Sequence, residues 1–232
     1  MAVLAVSVML FTLKANAQAP TQEYLKEIRT EMKKNWPANR TINLVFHGHS
    51  VPAGYFRTPE VRTLEAYPQQ VLQALKATYP SAVINVIVTA IGGENSEQGA
   101  KRFTREVLVH RPDVLFIDYA LNDRRIGLEK ARNFTTKMIR KALKKNIKVI
   151  LLTPSPDLAI DIRDDGNVLA MFAAQIRQLA RDHQIGLADS YKSFKGAALK
   201  GDPITDYMSQ SNHPNRAGHS LIGREVMAYF VD

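Results

Sequence analysis

The sequence feature that most constrains the fold is an alternation of short apolar runs with longer amphipathic segments. The runs are rich in β-branched residues and lie at 41–46, 82–88, 113–120, 147–153 and 185–189. Segments of helix length with helical periodicity follow them, near 60–78, 97–109, 128–145, 166–183 and 215–230. Such alternation is typical of repeated βαβ units.

The apolar runs are nearly continuous and do not alternate strictly between apolar and polar residues. TINLVF, AVINVIV and IKVILLT are examples. Strands of this kind are covered by helices on both faces, as in a parallel sheet. We therefore predict an α/β protein, a three-layer α/β/α sandwich with a mostly parallel five-stranded sheet. A chain of 232 residues suffices for one such domain but is short for two.

The first residues have the pattern of an export signal. An apolar run from Ala2 to Leu13 precedes the small-residue triplet Ala15-Asn16-Ala17, although Lys14 follows the run where a signal peptide has its basic residues before it. We expect a signal peptide at 1–17, a single domain at 18–232 and a periplasmic or secreted location. The run is too short to span a bilayer stably, so no lasting membrane insertion is expected after signal removal. A buried N-terminal helix is the alternative.

Composition excludes several functional classes. The chain has no cysteine, which rules out disulfides, a thiolate nucleophile and cysteine-ligated zinc. The net charge of +9 comes from basic residues scattered over helical segments. A scattered excess is typical of a solvated surface, so we do not expect nucleic acid as a partner.

Polar clusters follow the predicted strands. HGHS comes after the first, TAIGGENS after the second, LNDRR after the third and TPSPD after the fourth, and SQSNHPNRAGHS precedes the last helix. The carboxyl ends of parallel strands meet at one edge of the sheet, where open α/β sheets keep their ligands. The chemistry of this chain is therefore expected at that edge.

Four of these clusters resemble the sequence blocks of the SGNH hydrolase superfamily, which includes the GDSL esterases and lipases. Gly48-His49-Ser50 is similar to the Gly-Asp-Ser block, and AIGGENS, with Gly93, to the glycine block. ALND, with Asn122, is similar to the Gly-x-Asn-Asp block, and QSNHPN, with His213, to the histidine block. The blocks occur in the family's order between about residues 42 and 230. The resemblance implies a flavodoxin-like strand order and a serine esterase.

The resemblance also implies a role for each matched residue. Ser50 would be the nucleophile, and His213 its general base and acid. The backbone amides of Ser50 and Gly93 and the side-chain amide of Asn122 would form the oxyanion hole. The resemblance implies no cofactor and no metal.

One departure from the family concerns the residue that orients His213. The family has an acid three residues before the histidine, and this chain has Gln210. Three interpretations remain open: a Ser-His dyad oriented by the Gln210 oxygen or by a backbone carbonyl, a substitute acid at Asp202 or Asp206, and a weak or non-catalytic homologue that binds carbohydrate.

A second departure is His49, where the family has aspartate. We interpret it as structural. His47 lies two residues earlier and would share its side if the strand continued, so the pair also suggests a rival zinc hydrolase, with His213 or His219 and Asp123 as further ligands. Arg124 and Arg125 are either a solvated rim or a contact for an anionic part of the substrate.

The expected substrate is a small-molecule or glycan ester. The sequence has no long apolar insertion between the blocks, which favours a shallow polar cleft and a short acyl group. We therefore expect an exported esterase for O-acetyl groups on carbohydrate, with a lipase, a lysophospholipase or a thioesterase of the same fold as alternatives. The sequence does not indicate an oligomeric state.

Overall fold

A computed structural model describes residues 21–231 of the protein. The predicted signal peptide at 1–17 lies outside the described residues. None of the helices within 21–231 is long and apolar enough to cross a membrane.

The described residues form seven strands and ten α-helices. The strands are β1 (Thr41–Gly48), β2 (Val83–Val88), β3 (Val114–Asp118), β4 (Lys148–Leu152), β5 (Gly186–Ala188), β6 (Met208–Gln210) and β7 (His213–Pro214). The helices are α1 (Thr21–Tyr24), α2 (Lys26–Met32), α3 (Ser50–Ala53), α4 (Tyr67–Thr78), α5 (Ser96–Glu106), α6 (Ala120–Asp123), α7 (Leu128–Leu143), α8 (Val168–Asp182), α9 (Ser190–Leu199) and α10 (Arg216–Met227).

The main sheet has five parallel strands in the order β2-β1-β3-β4-β5. This confirms the predicted sheet and its flavodoxin-like order. All five carboxyl ends lie at one edge, because every connection between parallel strands returns to the same starting edge. β1 lies in the interior of the sheet, where it pairs with β2 on one side and β3 on the other, and it ends two residues before Ser50.

Two hydrophobic cores cover the two faces of the sheet. On one face, Leu44 and Phe46 of β1 pack with residues of α4 and α10. On the other face, Val45 packs with residues of α5 and α7. Successive β1 side chains point to opposite faces, and both faces are buried. The continuous apolar run is thus explained, and the three-layer sandwich is confirmed.

The predicted helix near 60–78 is shorter in the structure. α4 begins at Tyr67, and the preceding residues form a loop with an isolated bridge between Tyr55 and Val61 and a 3₁₀ turn at Thr63–Glu65. Pro68 lies inside the predicted range, and because proline fits the first turn of a helix but not its interior, the helix begins at Tyr67. This loop lies directly after the residues of α3.

The sequence prediction also missed α9 and the small antiparallel pair of β6 and β7. α9 reads SYKSFKGAAL, and its small residues produce only weak amphipathic periodicity. β6 and β7 have three and two residues, which is too short for a period-two pattern to emerge. Both elements nonetheless matter, because β6 carries Gln210 and β7 begins with His213.

Candidate active site

Ser50 sits at a sharp turn from β1 into α3. Gly48 makes the turn close to β3, where an added Cβ would lie 2.5 Å from the Asp118 carbonyl oxygen. His49 is the N-cap of α3, and its Nδ1 accepts a hydrogen bond of 3.2 Å from the Val51 amide. The turn therefore places Ser50 at the first position of a short helix, on the carboxyl edge of the sheet.

His213 reaches Ser50 from the other end of the chain. It opens β7, and Asn215 then caps α10 by accepting hydrogen bonds from the amides of Ala217 and Gly218. The Nε2 atom of His213 lies 3.0 Å from the Ser50 Oγ. This is the contact a histidine needs to take a proton from a serine hydroxyl.

The predicted oxyanion donors follow the neighbouring strands. Gly93 follows β2 with a φ of 80°, a left-handed conformation that favours glycine. Asn122 lies in α6 directly after β3 and is buried. Its Nδ2 donates a hydrogen bond of 2.9 Å to the carbonyl oxygen of Glu94. One amide hydrogen thus ties Asn122 to the Gly93 loop, while Nδ2 carries a second hydrogen.

Asp123, next to Asn122, secures the start of α5. Its Oδ1 accepts a hydrogen bond of 2.7 Å from the Ser96 amide, and burial raises the pKa of Asp123 to about 6. This contact fixes α6 against the loop that carries Gly93. Asp123 therefore helps to fix the position of its neighbour Asn122 relative to the Gly93 loop.

The Nδ1 atom of His213 has two polar neighbours. The carbonyl oxygen of Phe56 lies 2.9 Å away, and the Nε2 of Gln210 lies 2.8 Å away. The Oε1 of Gln210 accepts a hydrogen bond of 3.1 Å from the Thr58 amide. The Gln210 nitrogen, and not its oxygen, therefore faces the histidine.

Neither aspartate considered as a substitute acid is a hydrogen-bond partner of His213. The carboxylate of Asp202 accepts a hydrogen bond from the Tyr207 hydroxyl at 3.0 Å, and the backbone carbonyl of Asp206 accepts one from Asn215 at 2.8 Å. Both residues belong to the segment before β6. The structure thus brings Gln210 and the Phe56 carbonyl to His213, and not Asp202 or Asp206.

The surroundings of His213 favour its neutral form. Burial lowers the pKa of His213, and the nearby His49 lowers it further, while the hydrogen bond to Phe56 acts in the opposite direction. A neutral imidazole is the form that can act as a base.

His47 belongs to a separate buried cluster. Its Nδ1 lies 3.0 Å from the Thr89 hydroxyl, and its Nε2 lies 3.1 Å from the Tyr119 hydroxyl and 3.3 Å from the Gly99 carbonyl. Arg102 is 3.3 Å from the same Tyr119 hydroxyl. Burial, followed by the charge of Arg102, lowers the pKa of His47 to about 3.

The suggested zinc ligands do not come together. β1 ends at Gly48, so the strand alternation that would have paired His47 with His49 stops before His49. The His49 ring lies against Val51 and 3.4 Å from Asp118, while His219 accepts a hydrogen bond from the Tyr67 amide. Within residues 21–231, no group of three or more histidine or acidic side chains is placed to hold a metal.

The two arginines after Asn122 differ in role. Arg124 forms an ion pair of 2.6 Å with the buried Asp157, whose other oxygen accepts a hydrogen bond of 2.6 Å from the Ser211 hydroxyl. This links α6 to the loop that carries His213. Arg125 is exposed and lies 3.4 Å from the Gly93 carbonyl, so of the two it is the one available at the rim.

Sequence reasoning missed the contribution of residues 55–58. Phe56 acts through a backbone carbonyl and Thr58 through a backbone amide, and every residue type except proline carries both groups. No side-chain pattern could have revealed them. Tyr55, whose ring centroid is 5.9 Å from that of His213 and which is 38% exposed, had a detectable signal only as an aromatic residue soon after Ser50.

Solved structures of two esterases share the fold of this chain. A two-domain esterase active on acetylated mannans superposes with a TM-score of 0.73 at 21% identity, covering 93% of this chain and 54% of the other. This chain thus spans about half the length of that protein. A catalytic serine-to-alanine mutant of the acetylxylan esterase Axe2 from Geobacillus stearothermophilus has a TM-score of 0.71 at 19% identity, covering 85% and 96% of the two chains.

Other mutants of Axe2 described as catalytic replace a histidine, or an aspartate three positions before it. At these identities the likeness shows a shared fold. A search of curated protein sequences found no match. The sequence itself matches a family profile over residues 46–221, which include Ser50, Gly93, Asn122 and His213. By this match, which extends over most of its length, the chain belongs to the GDSL-like lipase/acylhydrolase family of ester hydrolases.

Proposed function

We propose that this protein is an exported serine esterase that removes short acyl groups, chiefly O-acetyl groups, from carbohydrate. The observation that carries the proposal is the 3.0 Å contact between the Ser50 Oγ and the His213 Nε2, at the carboxyl edge of the sheet in a chain of this family. A serine needs a base within this distance to attack an ester.

The reaction would proceed in two steps through an acyl-Ser50 intermediate. His213 Nε2 takes the Ser50 proton while Oγ attacks the ester carbonyl carbon. The backbone amides of Ser50 and Gly93 and the Asn122 side chain donate hydrogen bonds to the resulting oxyanion. The imidazolium then gives its proton to the departing alcohol, and water repeats the sequence to release the acid.

Two observations favour a carbohydrate ester. Two proteins with the same fold are described as esterases of acetylated mannans and of acetylxylan. In this chain, Tyr55 presents a half-exposed aromatic ring beside His213, and amphipathic aromatic rings are suitable surfaces for contacts with ligands that have apolar and polar faces. A sugar ring is such a ligand.

The substrate is tested with p-nitrophenyl esters from acetate to palmitate and with acetate release from acetylated xylan and mannan. We expect the highest kcat/KM for the acetate ester and release of acetate from at least one glycan. A maximum at long chains would instead identify a lipase or lysophospholipase, and preferential cleavage of acyl thioesters a thioesterase.

Gln210 favours one second candidate, a weakly active or non-catalytic carbohydrate-binding homologue. A fluorophosphonate probe that forms a covalent bond with activated serines separates this candidate from an enzyme. We expect labelling of the wild-type protein and none of Ser50→Ala. An unlabelled wild-type protein that binds glycan would establish the second candidate.

The exported location is part of the same proposal and needs its own measurement. Expression of the full chain followed by fractionation and N-terminal sequencing should yield a protein that starts at Gln18 outside the cytoplasm. Retention of residues 1–17 in the cytoplasm would contradict export.

A further inference from the structure

The Nδ1 atom of His213 has two neighbours that require opposite protonation states. The Phe56 carbonyl oxygen, 2.9 Å away, can only accept a hydrogen bond, so it pairs with a protonated Nδ1. The Gln210 amide nitrogen, 2.8 Å away, can only donate, so it pairs with an unprotonated Nδ1. A neutral imidazole satisfies one neighbour at a time.

The two tautomers have different chemical consequences at Ser50. When Nδ1 carries the proton, Nε2 has a free lone pair 3.0 Å from the Ser50 Oγ and can act as a base. When Nδ1 accepts from Gln210, Nε2 carries the proton and can only donate to Ser50. Catalysis therefore requires the tautomer that Phe56 favours and Gln210 opposes.

The Gln210 amide cannot resolve the conflict simply by turning over. Its Oε1 already accepts the Thr58 N–H at 3.1 Å. Rotation by 180° would bring the Oε1 to Nδ1 but would set the NH₂ group against the Thr58 N–H, two donors facing each other. The backbone of Thr58 therefore determines which end of the amide meets His213.

Several contacts fix the loop that contains the Phe56 carbonyl and the Thr58 amide. The Arg62 guanidinium lies 3.6 Å from the centre of the Phe56 ring, the Phe56 amide donates to the Glu60 carbonyl at 3.0 Å, and the Arg62 amide donates to the Gly54 carbonyl at 2.7 Å. The Tyr55 amide also donates to the Ser50 carbonyl at 3.1 Å. The Phe56 carbonyl is thus fixed relative to the nucleophile.

We propose that the Phe56 carbonyl takes the place of the missing acid and that Gln210 restrains turnover by stabilising the unproductive tautomer of His213. This inference rests on the proposed esterase function. It makes Gln210 a positioning residue with a negative effect, opposite to the contribution expected when its oxygen was assumed to face the histidine.

The first test is Gln210→Glu, which keeps the size and shape of the side chain. One carboxylate oxygen would accept the Thr58 N–H and the other would accept Nδ1–H, so both groups would favour the productive tautomer. Replacing a triad aspartate by an amide costs a serine protease about 10⁴-fold in kcat. We expect the reverse change here to raise kcat by about 100-fold, since Phe56 already supplies part of the effect.

The second test is Gln210→Ala, which removes the competing donor and leaves Phe56 in place. Since the variant removes one neutral hydrogen bond that favours the unproductive tautomer, we expect kcat to rise by about 2-fold to 10-fold. Gln73→Glu and Gln73→Ala are matched controls, because Gln73 is exposed on α4. Both controls should leave kcat unchanged.

The tautomer itself can be measured without any turnover. The ¹⁵N shifts of His213, at a pH where the ring is neutral, distinguish Nδ1–H from Nε2–H. We expect a mixture in the wild-type protein and a shift to Nδ1–H in both Gln210 variants. A fall in kcat for Gln210→Ala, an unchanged kcat for Gln210→Glu, or identical ¹⁵N shifts in all three proteins would overturn the proposal.

Failure of this proposal and failure of the esterase function give different results. If the protein is not an esterase, neither the wild type nor the variants release acetate or react with the fluorophosphonate, yet the ¹⁵N shifts still report which tautomer Gln210 favours. If the protein is an esterase but the proposal is wrong, the fluorophosphonate labels Ser50 normally. The Gln210 variants then show one of the overturning results: a lower kcat for Gln210→Ala, an unchanged kcat for Gln210→Glu, or ¹⁵N shifts identical to those of the wild type.

Discussion

Two histidines near the carboxyl edge of the sheet have different surroundings in this protein. His47 is fully buried, and its ring nitrogens face the hydroxyls of Thr89 and Tyr119 and the Gly99 carbonyl. His213 begins the two-residue strand β7, shortly before α10, and its Nε2 lies 3.0 Å from the Ser50 hydroxyl. A histidine whose two ring nitrogens both face fixed protein groups is structural, whereas one that keeps a nitrogen for a serine hydroxyl can act as a base.

The two regions are also connected, through Glu94. Its carboxylate holds the Arg102 guanidinium at 2.7 Å within the His47 cluster, which here means His47, Thr89, Tyr119, Arg102 and Glu94. Its backbone carbonyl accepts the hydrogen bond from Asn122. The His47 cluster therefore helps to hold the loop that carries Gly93, whereas His213 contacts the Ser50 hydroxyl directly.

Removal of the histidine that contacts Ser50 should have the largest effect on turnover. His213→Ala should lower kcat by about 10⁴-fold or more, because Ser50 loses its base. His183→Ala, near the end of α8, is the control and should retain wild-type kcat. A small loss for His213→Ala, measured on p-nitrophenyl acetate, would show that Ser50 does not depend on this base.

Asn122 tests the point where the two regions meet. Asn122→Ala should reduce kcat by about 100-fold to 1000-fold, since one oxyanion donor is lost. The same change removes the bond to Glu94, so Gly93 also loses a restraint. Asn85→Ala, at an exposed side-chain contact, is the control. Wild-type turnover in Asn122→Ala would remove Asn122 from the oxyanion hole.

The pH dependence of kcat/KM tests the proposed role of His213 without a mutation. The base must be neutral, so kcat/KM falls as the pH decreases through the pKa of His213. Because burial lowers that pKa, the acidic limb should lie below the ordinary histidine value of about 6.5. In Gln210→Glu the new carboxylate stabilises the imidazolium, and the limb should move to higher pH. A wild-type limb above 6.5 would contradict the assignment.

His47 should show the smallest effect on turnover. His47→Ala leaves a cavity and removes one hydrogen-bond partner from each of the Thr89 and Tyr119 hydroxyls, which should lower the free energy of unfolding by about 2–4 kcal/mol. The folded fraction should keep nearly wild-type kcat. Urea unfolding measures the free energy of unfolding, and active-site titration gives the kcat of the folded fraction. A loss of kcat comparable to that of His213→Ala would contradict a purely structural role for His47.

The pH dependence of the free energy of unfolding is a second test of His47. The pKa of His47 is about 3 in the folded protein and about 6.5 in the unfolded chain, so the unfolded chain binds the proton first. The stability present above about pH 6.5 is therefore lost progressively as the pH falls towards 3. This loss should be smaller in His47→Ala, which has no such proton to bind.

Much of the fold could be predicted because it depends on local patterns. The runs at 41–46 and 147–153 indicated buried strands, and the family resemblance implied the strand order. The helix boundary before Tyr67, α9 and the β6–β7 pair could not be predicted, because these elements are short or weakly amphipathic and are stabilised by the rest of the molecule.

Periodicity and side-chain identity are local properties of the chain, and they were enough to indicate the parallel sheet, the family and the candidate site residues Ser50, Gly93, Asn122 and His213. Only the tertiary structure decided what meets Nδ1 of His213. The answer depends on a backbone carbonyl at Phe56 and on a backbone amide at Thr58 that orients Gln210. These groups are common to almost every residue, and only folding places them beside a residue more than 150 positions away.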